Sequence, residues 1–420
     1  MSRIAYAVIG AHYGDEGKGQ VTAWLCRRLM KERPDSKVLN VLTNGGCQRG
    51  HTVHAVLSET REARHVFKHF GSGTFYGAHT HFGPEFILNP MEFVREDGEL
   101  SKAGFRPVCS CGWNNRVQLP VDVAVNQYLE RVRAGRGMEH GSVGFGINET
   151  VLRYERGMGR SFVAMVADAE DDEIAFEKRI TELSHDYAHD RIIEELGNES
   201  DFNDFESKFY DYLSAGTVRH YIDDLLSMSH RINVSWHSSR AYDHDYFVFE
   251  NGQGLKIGQQ CAESFFNCTP SDTGAFSVLR AMHDMDLIGD RATDRTKVDK
   301  VVPFYVSRTY MTRHGTGPFP VPETKDPPFG EKPDETNRPN DFQGSIRYAE
   351  FHGGEFNAML NDLFRFRSTC VPQCDVAPKL AATHLCYESS KALGHFPWVP
   401  DVMFSSDEPV DTSCDRVEIF

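Results

Sequence analysis

Apolar positions along this chain change rhythm several times, and each change predicts a different element. Residues 4–9 (Ile-Ala-Tyr-Ala-Val-Ile) are an unbroken apolar run ending at Gly10, the pattern of a buried strand feeding a glycine-rich turn. Val21, Trp24, Leu25 and Leu29 then fall at helical spacing, and Val38 to Leu42 predicts a second strand that ends at Asn44-Gly-Gly46. Strand, glycine turn, helix, strand is the order of an α/β fold. It predicts a mostly parallel central sheet with surrounding helices and ligands beyond the strand ends.

The middle of the chain switches to helical periodicity on an acidic background. Ile180, Leu183 and Tyr187, then Phe202, Phe205, Phe209 and Leu213, then Val218, Ile222 and Leu225 predict a helical insertion over about residues 160–235. Strand-like runs return at 246–249, just before Glu250-Asn-Gly-Gln-Gly254, and at 301–306. Residues 314–341 are rich in Gly, Pro and charge and predict a long loop, the kind of segment that often carries function. The 420 residues read as a single domain with this helical insertion and a loop region at about 314–345.

Composition narrows the function classes. Hydrophobic content of 40% and charged content of 25% are ordinary for a globular protein. No stretch approaches the roughly 20 apolar residues of a membrane span. The opening Met-Ser-Arg-Ile-Ala-Tyr lacks the regions of a signal peptide, so a cytoplasmic location is expected. Of ten cysteines only Cys109 with Cys111 and Cys370 with Cys374 lie close in sequence, neither pair with zinc-site spacing, so no structural metal is expected. A net charge of −16 argues against a broad nucleic-acid face. Small phosphorylated substrates remain compatible, because backbone amides and a few placed cations bind them locally.

Two segments carry candidate chemistry. In Gly10-Ala-His-Tyr-Gly-Asp-Glu-Gly-Lys-Gly19 four glycines let backbone amides approach an anion, and Lys18 adds a charge. His12 and Gly19 break the Walker A pattern, and no starting glycine gives the dinucleotide fingerprint. A carboxylate such as Asp15 or Glu16 in a phosphate cradle would repel the ligand unless it binds Mg²⁺ or works as a base. The plainer alternative is a helix cap. The second segment, Asn44-Gly-Gly-Cys-Gln-Arg-Gly-His-Thr52, sets His51 after a glycine turn, where it could serve as a general acid beside a leaving phosphate. With 19 histidines in the chain, only that glycine frame distinguishes it.

Together these segments resemble the adenylosuccinate synthetase family, whose signature is Gly-Asp-Glu-Gly-Lys-Gly followed by Gly-His-Thr. Further matches follow in order. They are His69-Phe-Gly-Ser-Gly73, Ile87-Leu-Asn-Pro90, Gly141-Ser-Val-Gly-Phe-Gly146, Phe249-Glu-Asn-Gly-Gln-Gly254, Thr269-Pro-Ser-Asp-Thr273 and Thr312-Arg-His-Gly-Thr-Gly-Pro-Phe-Pro320. The resemblance implies a fold related to P-loop NTPases and a ligase that joins aspartate to C6 of a purine nucleoside monophosphate through a 6-phosphoryl intermediate.

It also implies roles for particular residues. Asp15, His51, Lys18 and Gln253 would be catalytic. Gly14, Glu16, Gly17, Lys18, Gly19, Gly50, His51 and Thr52 would meet the nucleoside triphosphate, with Mg²⁺ between Asp15 and the Gly50 carbonyl. The purine monophosphate would be held by Asp15, Gln48, Ser142, Val143, Gln253 and Thr269, together with an arginine from a partner subunit matched to Arg153 or Arg156. That arginine implies a homodimer. Aspartate would meet Thr336, Arg338 and Arg347.

Three departures from the family matter. The arginine run of its aspartate clamp is reduced to Arg338 and Arg347, which still suffice for bidentate carboxylate contacts. Its guanine-reading Thr-Lys-x-Asp maps to Thr383-His-Leu-Cys386, and cysteine cannot pair with the guanine donors, which argues against selectivity for GTP and makes ATP or dATP credible. The acceptor loop reads Gly144-Phe-Gly-Ile-Asn-Glu-Thr150, where a new carboxylate or amide could accept from a 2-amino group. These changes resemble the phage branch of the family, the 2-aminoadenylosuccinate synthases that act on dGMP. The sequence therefore leans to a (d)GMP acceptor, while retention of Asp15, often replaced in that branch, keeps IMP open. Readings of another class are an inactive nucleotide-binding regulatory homologue and a generic P-loop GTPase.

Overall fold

The computed structural model describes residues 3–138, 141–261, 267–324, 326, 342, 344–351, 354–370, 373–385 and 393–405. The chain runs β1 (Ile4–Gly10), α1 (Lys18–Glu32), β2 (Val38–Leu42), the hairpin β3 (His51–Ser58) and β4 (Arg61–Phe67), β5 (His79–Phe82), α2 (Pro90–Lys102) and β6 (Cys109–Cys111). It then leaves the sheet for α3 (Pro120–Gly135), α4 (Ile147–Glu155), α5 (Phe162–Asp171), α6 (Glu173–Leu196), α7 (Glu199–Leu213) and α8 (Ala215–Ser229), and returns at β7 (Ile232–Val234), beside β6. The helices expected over about 160–235 are thus α5 to α8.

After α9 (Ser239–Asp243) come β8 (Tyr246–Gly254), α10 (Ala275–Asp284), β9 (Lys300–Arg308), β10 (Met311–Arg313), β11 (Glu323–Thr324) and β12 (Arg347–Ala349). The last elements are α11 (Asn357–Cys370), β13 (Asp375–Val376), β14 (Lys379–Leu385) and β15 (Val402–Ser405). The central sheet is ordered β15-β14-β9-β1-β8-β2-β5-β6-β7, with β13 also on β9. Its strand pairs are all parallel.

A parallel sheet covered on both faces needs strands apolar on both sides. On β1, Ala5, Ala7 and Ile9 enter one core with Leu39, Val41, Phe247 and Phe249, while Val8 enters the other with Val21, Trp24 and the helices after α2. From β1 the strand order grows outward in both directions, through β8 and β2 one way and through β9 and β14 the other. At such a reversal open α/β sheets bind ligands beyond the carboxyl ends of the strands, here β1, β8 and β2. Among the described residues no helix is long and apolar enough to cross a membrane.

Two helices of the helical region are joined by buried charge. Arg153 on α4 meets Asp122 on α3 through two bonds, Nε to Oδ1 and Nη2 to Oδ2, each 2.8 Å, and also donates to the Val117 carbonyl. Both side chains are almost wholly buried. A pair of this kind is costly to break from one side, because the remaining charge stays in a low-dielectric site. Asp122→Ala is therefore expected to destabilise the protein by about 3–5 kcal/mol in urea titrations, with an unchanged denaturant slope.

Candidate active site

The loop between β1 and α1 holds its shape against its own preferences. Gly14 (φ 117°), Gly17 (φ 90°) and also Asp15 (φ 61°) take left-handed backbone, which for a non-glycine residue persists only where surroundings enforce it. Three consecutive carbonyls are tied back to other elements. Gly14 O accepts from Thr312 Oγ1 (3.1 Å), Asp15 O from Arg308 Nε, and Glu16 O from Thr383 Oγ1 (2.6 Å). The loop's two acids consequently part company.

Glu16 turns inward. Its Oε1 accepts from the backbone amides of His12 (3.1 Å) and Gly14 (2.9 Å), and its Oε2 pairs with Lys18 Nζ at 2.6 Å. Burial alone would raise its pKa, but Lys18 and the Gly14 amide hold it below the ordinary carboxylate value. Any contact of Glu16 with a phosphate is left to its backbone. Lys18, 3% exposed, would have to exchange partners to reach one. Asp15 instead remains a quarter exposed, and its Oδ2 lies 3.3 Å from His314 Nε2.

His51 opens β3, and a Cβ at Gly19 would come within 2.8 Å of its own, so Gly19 is what lets α1 start against it. Its Nδ1 lies 2.5 Å from Glu250 Oε1 on β8. Glu250 also accepts from Ser72 N (3.1 Å) and from the Ser72 hydroxyl, and the Arg49 guanidinium stands 3.9 Å from Oε1. Arg49 itself is buried and donates to the Lys68 and Phe70 carbonyls. Burial would raise the Glu250 pKa, but Arg49, His51 and Ser72 together bring it down to about 2. Burial and Arg49 lower the His51 pKa against the pull of Glu250. The resting arrangement is a neutral imidazole giving its Nδ1 proton to a carboxylate, which fixes the tautomer and leaves Nε2 as acceptor.

The turn after β2, which carries Gln48, and the end of β8, which carries Gln253, converge. A Cβ at Gly45 would stand 2.9 Å from Gln48 Nε2 and 3.3 Å from Gln253 Oε1. Gln253 has φ 58° and is flanked by Asn44, whose side chain bonds Gly252 N (2.8 Å) and Ser271 Oγ (3.1 Å). Gln48 presents both amide atoms, buried, with no protein partner among the described residues. The Gly141–Gly146 segment hangs on α3: Ser142 Oγ and Gly146 N bond Asn126 Oδ1, Gly144 O accepts from Gln127, and Glu130 Oε2 lies 3.2 and 3.3 Å from the Gly141 and Ser142 amides. Its outer side meets the 314–317 loop, backbone against backbone at Gly141 and Gly315. Val143 is half-buried there, and Thr269, where the chain doubles back on β8's exit, donates its amide to Ile257 O at 2.7 Å.

The proximities run pairwise: Gly19 abuts His51, Gln48 and Gln253 both approach Gly45, Asp15 meets His314, and the Ser142 loop meets Gly315. Gly50 and Thr52 flank His51, with Gly50 exposed.

Other expected residues fare differently. Glu149, read as a new carboxylate near the purine, is buried and committed elsewhere, its Oε2 bonded to Arg191 Nε (2.9 Å) and the Tyr187 hydroxyl (2.8 Å), so it cannot read a 2-amino group. Arg153 is consumed by Asp122 and cannot reach a partner subunit, which leaves Arg156, on the surface against Glu194. Arg347 pairs with Glu323, bonds the Gly317 carbonyl and lies 5.3 Å over the Phe319 ring. Thr336, Arg338 and Cys386 lie outside the described residues. Glu250, Arg49 and His314 carry weight that sequence reasoning missed. All three stood inside quoted motifs, and the signal available was their chemistry next to an assigned residue's element.

Residues 7–338 match the family model described as adenylosuccinate synthetase, well over half of the chain. The chain belongs to the adenylosuccinate synthetase family. It is 26% identical over 321 residues to the adenylosuccinate synthetase of Methanothrix thermoacetophila, covering 76% of this chain and 66% of that protein. With that of Lactobacillus acidophilus it shares 24% identity over 323 residues, covering 76% and 65%. The match thus spans just under two thirds of these relatives' own lengths. Among solved structures, fully ligated adenylosuccinate synthetase from Plasmodium falciparum superposes with TM-score 0.56 at 16% identity, covering 90% of this chain and 76% of that one. The cyanophage S-2L succinoaminodeoxyadenylate synthetase bound to dGMP and dATP gives TM-score 0.55 at 15% identity, covering 94% and 88%. At such identities the structural likeness concerns the fold.

The Glu250 network sets an acid limit. Its folded pKa lies below the ordinary 4.5, so the stabilisation is complete above that value and lost as pH falls toward about 2. Glu250→Gln is expected to flatten the fall in unfolding free energy across this window, a span of about 3 kcal/mol. Urea titrations at stepped pH measure it, and an unchanged slope would contradict the assignment.

Proposed function

We propose that this protein is a carbon–nitrogen ligase that joins L-aspartate to C6 of a purine nucleoside monophosphate, converting a nucleoside triphosphate to the diphosphate and phosphate. The observation that carries the reading is the separation of the two adjacent acids: Glu16 is spent on Lys18 and the loop's amides, while Asp15 stays a quarter exposed beside His314. A glycine loop for triphosphate alone has no use for that second carboxylate, whereas a loop that must also deprotonate an acceptor does.

In this reading Asp15 accepts the N1 proton of a 6-oxopurine, and O6 attacks the γ-phosphorus as the bond to the β–γ bridging oxygen breaks. His51, held by Glu250, faces the departing diphosphate, whose charge favours the protonated imidazole that can donate to it. The aspartate amine then adds to C6 and phosphate leaves. Gln253 and Gln48, set close together at the turns, offer amides to the purine, and Ser142, Val143 and Thr269 meet the monophosphate. Lys18 follows charge from Glu16 toward the transferred group. Arg156 of a second copy would complete the monophosphate site in a homodimer, and Thr336, Arg338 and Arg347 would receive aspartate.

The oxygen donors at Asp15 and Gly50 suit Mg²⁺, which takes one or two protein oxygens and leaves its remaining positions to water and phosphate. Bound there, it would supply charge neutralisation along the triphosphate.

For the acceptor we favour (d)GMP, giving a 2-aminoadenylosuccinate for diaminopurine nucleotides. The fold likeness to a phage enzyme bound to dGMP and dATP supports this, and the unpartnered Gln48 amide can meet a guanine edge as well as a hypoxanthine one. That likeness and the Thr383–Cys386 departure favour ATP or dATP over GTP as donor. IMP is the second reading, favoured by retention of Asp15. The setting would be cytoplasm, that of a host cell if the gene is a phage's.

Two measurements test this. Incubation with aspartate and Mg²⁺, crossing IMP, GMP and dGMP against ATP and GTP, should give a succinylated product mass from dGMP or GMP. Product from IMP alone rules out the favoured acceptor, and product from none rules out the ligase. Asp15→Ala should lower kcat by about 10²–10⁴ while nucleoside monophosphate still binds, and undiminished turnover removes Asp15 as the base.

A further inference from the structure

The acceptor loop is fastened on its inner side to α3; the helix it opens into, α4, is held to α3 through Arg153 and Thr150 on Asp122, and to α6 through a second buried cluster at its first turn. We infer that Glu149, Arg191 and Tyr187 form a positioning clamp, through which α6 sets the acceptor loop and thereby the affinity for the purine monophosphate. This rests on the ligase reading above.

Glu149 lies in the first turn of α4, three residues past Gly146. Its carboxylate is 1% exposed, bonded to Arg191 Nε and to the Tyr187 hydroxyl, and the same hydroxyl lies 2.8 Å from the Glu149 backbone carbonyl. Arg191 is steadied in turn by Glu195 at 2.6 Å. A buried carboxylate with a guanidinium and a phenol fixes both the rotation and the height of the helix start.

That start touches the crevice at two places. Ile147 packs on the Gly45–Gly46 turn so closely that a Cβ at Gly46 would fall 2.8 Å from Ile147 Cδ1, and Gly46 is two residues from Gln48. On its other side Gly146 abuts the Asp122 backbone, where an added Cβ would come within 2.5 Å. A shift of α4 is therefore felt at Gln48 and at the Ser142 loop together, on the side where the acceptor would sit. The Gly10–Gly19 loop is held from elsewhere, by β9, β10 and β14, and should not register it.

The test compares Glu149→Gln and Tyr187→Phe with the unaltered protein, measuring KM and kcat for the monophosphate that the product assay identifies, KM for the triphosphate, and calorimetric binding of that monophosphate. The clamp predicts a monophosphate KM raised about tenfold in both variants, with kcat and triphosphate KM within twofold. Should Glu149→Gln fail to fold, Tyr187→Phe, which removes a single hydroxyl, decides alone. A monophosphate KM that does not move, or one that rises in step with triphosphate KM, overturns the clamp while leaving the ligase reading intact. Absence of monophosphate binding by the unaltered protein overturns both.

Discussion

The constraint on which the site depends is the burial of one carboxylate. Glu16 sits inside the first turn of the sheet's crevice and is satisfied by two backbone amides and an ammonium. A buried carboxylate lacking any of these would cost several kcal/mol, so the loop must wrap around Glu16 in one way. Wrapping puts the following glycine and the preceding Asp15 in left-handed backbone and turns the Asp15 side chain outward. The exposed acid is thus a consequence of the hidden one.

A second buried carboxylate does the same for His51. Glu250 reaches the histidine, Ser72 and Arg49 from the middle of the sheet, and its ionised form is stabilised strongly enough that the imidazole is held in one tautomer. Arg49 matters here as a competitor. Sharing Glu250 with a fixed cation weakens the pull toward a charged imidazole. In the ligase reading the departing diphosphate would supply the negative charge at Nε2 that favours protonation, as general acid chemistry at a leaving group requires.

Elements whose signal is local were legible from the residues. The run at 4–9, the strand at 38–42 and the phenylalanine ladder of α7 each carry their own periodicity, and the structure places strands and helices there within a residue or two. The glycine frames drew attention to Asp15 and His51 because a turn's needs are written in the turn itself. The hairpin of β3 and β4 and the small sheet of β10, β11 and β12 were not foreseen. Their short mixed segments become strands only when paired.

Polar partnerships were the least legible, and Glu149 shows why. In sequence it is an acid inserted in a nucleotide loop, which invites a role toward the ligand. In space its helix turns it away from the crevice, onto Arg191 42 residues later. Glu250 lies 199 residues from the histidine it orients. Whether a buried acid serves a ligand or a helix depends on which cation reaches it first, and sequence spacing carries no information about that. The same reasoning limits what Glu149 can say about the acceptor. With its carboxylate spent, discrimination for a 2-amino group would fall to amides, Gln48 foremost, which can both donate and accept. Such a site would tolerate both a guanine and a hypoxanthine edge, and the retained Asp15 is compatible with either. Selectivity between them then rests on how closely the Gly46 turn and the Ser142 loop hold the base, a matter of position that α4 and its clamp control.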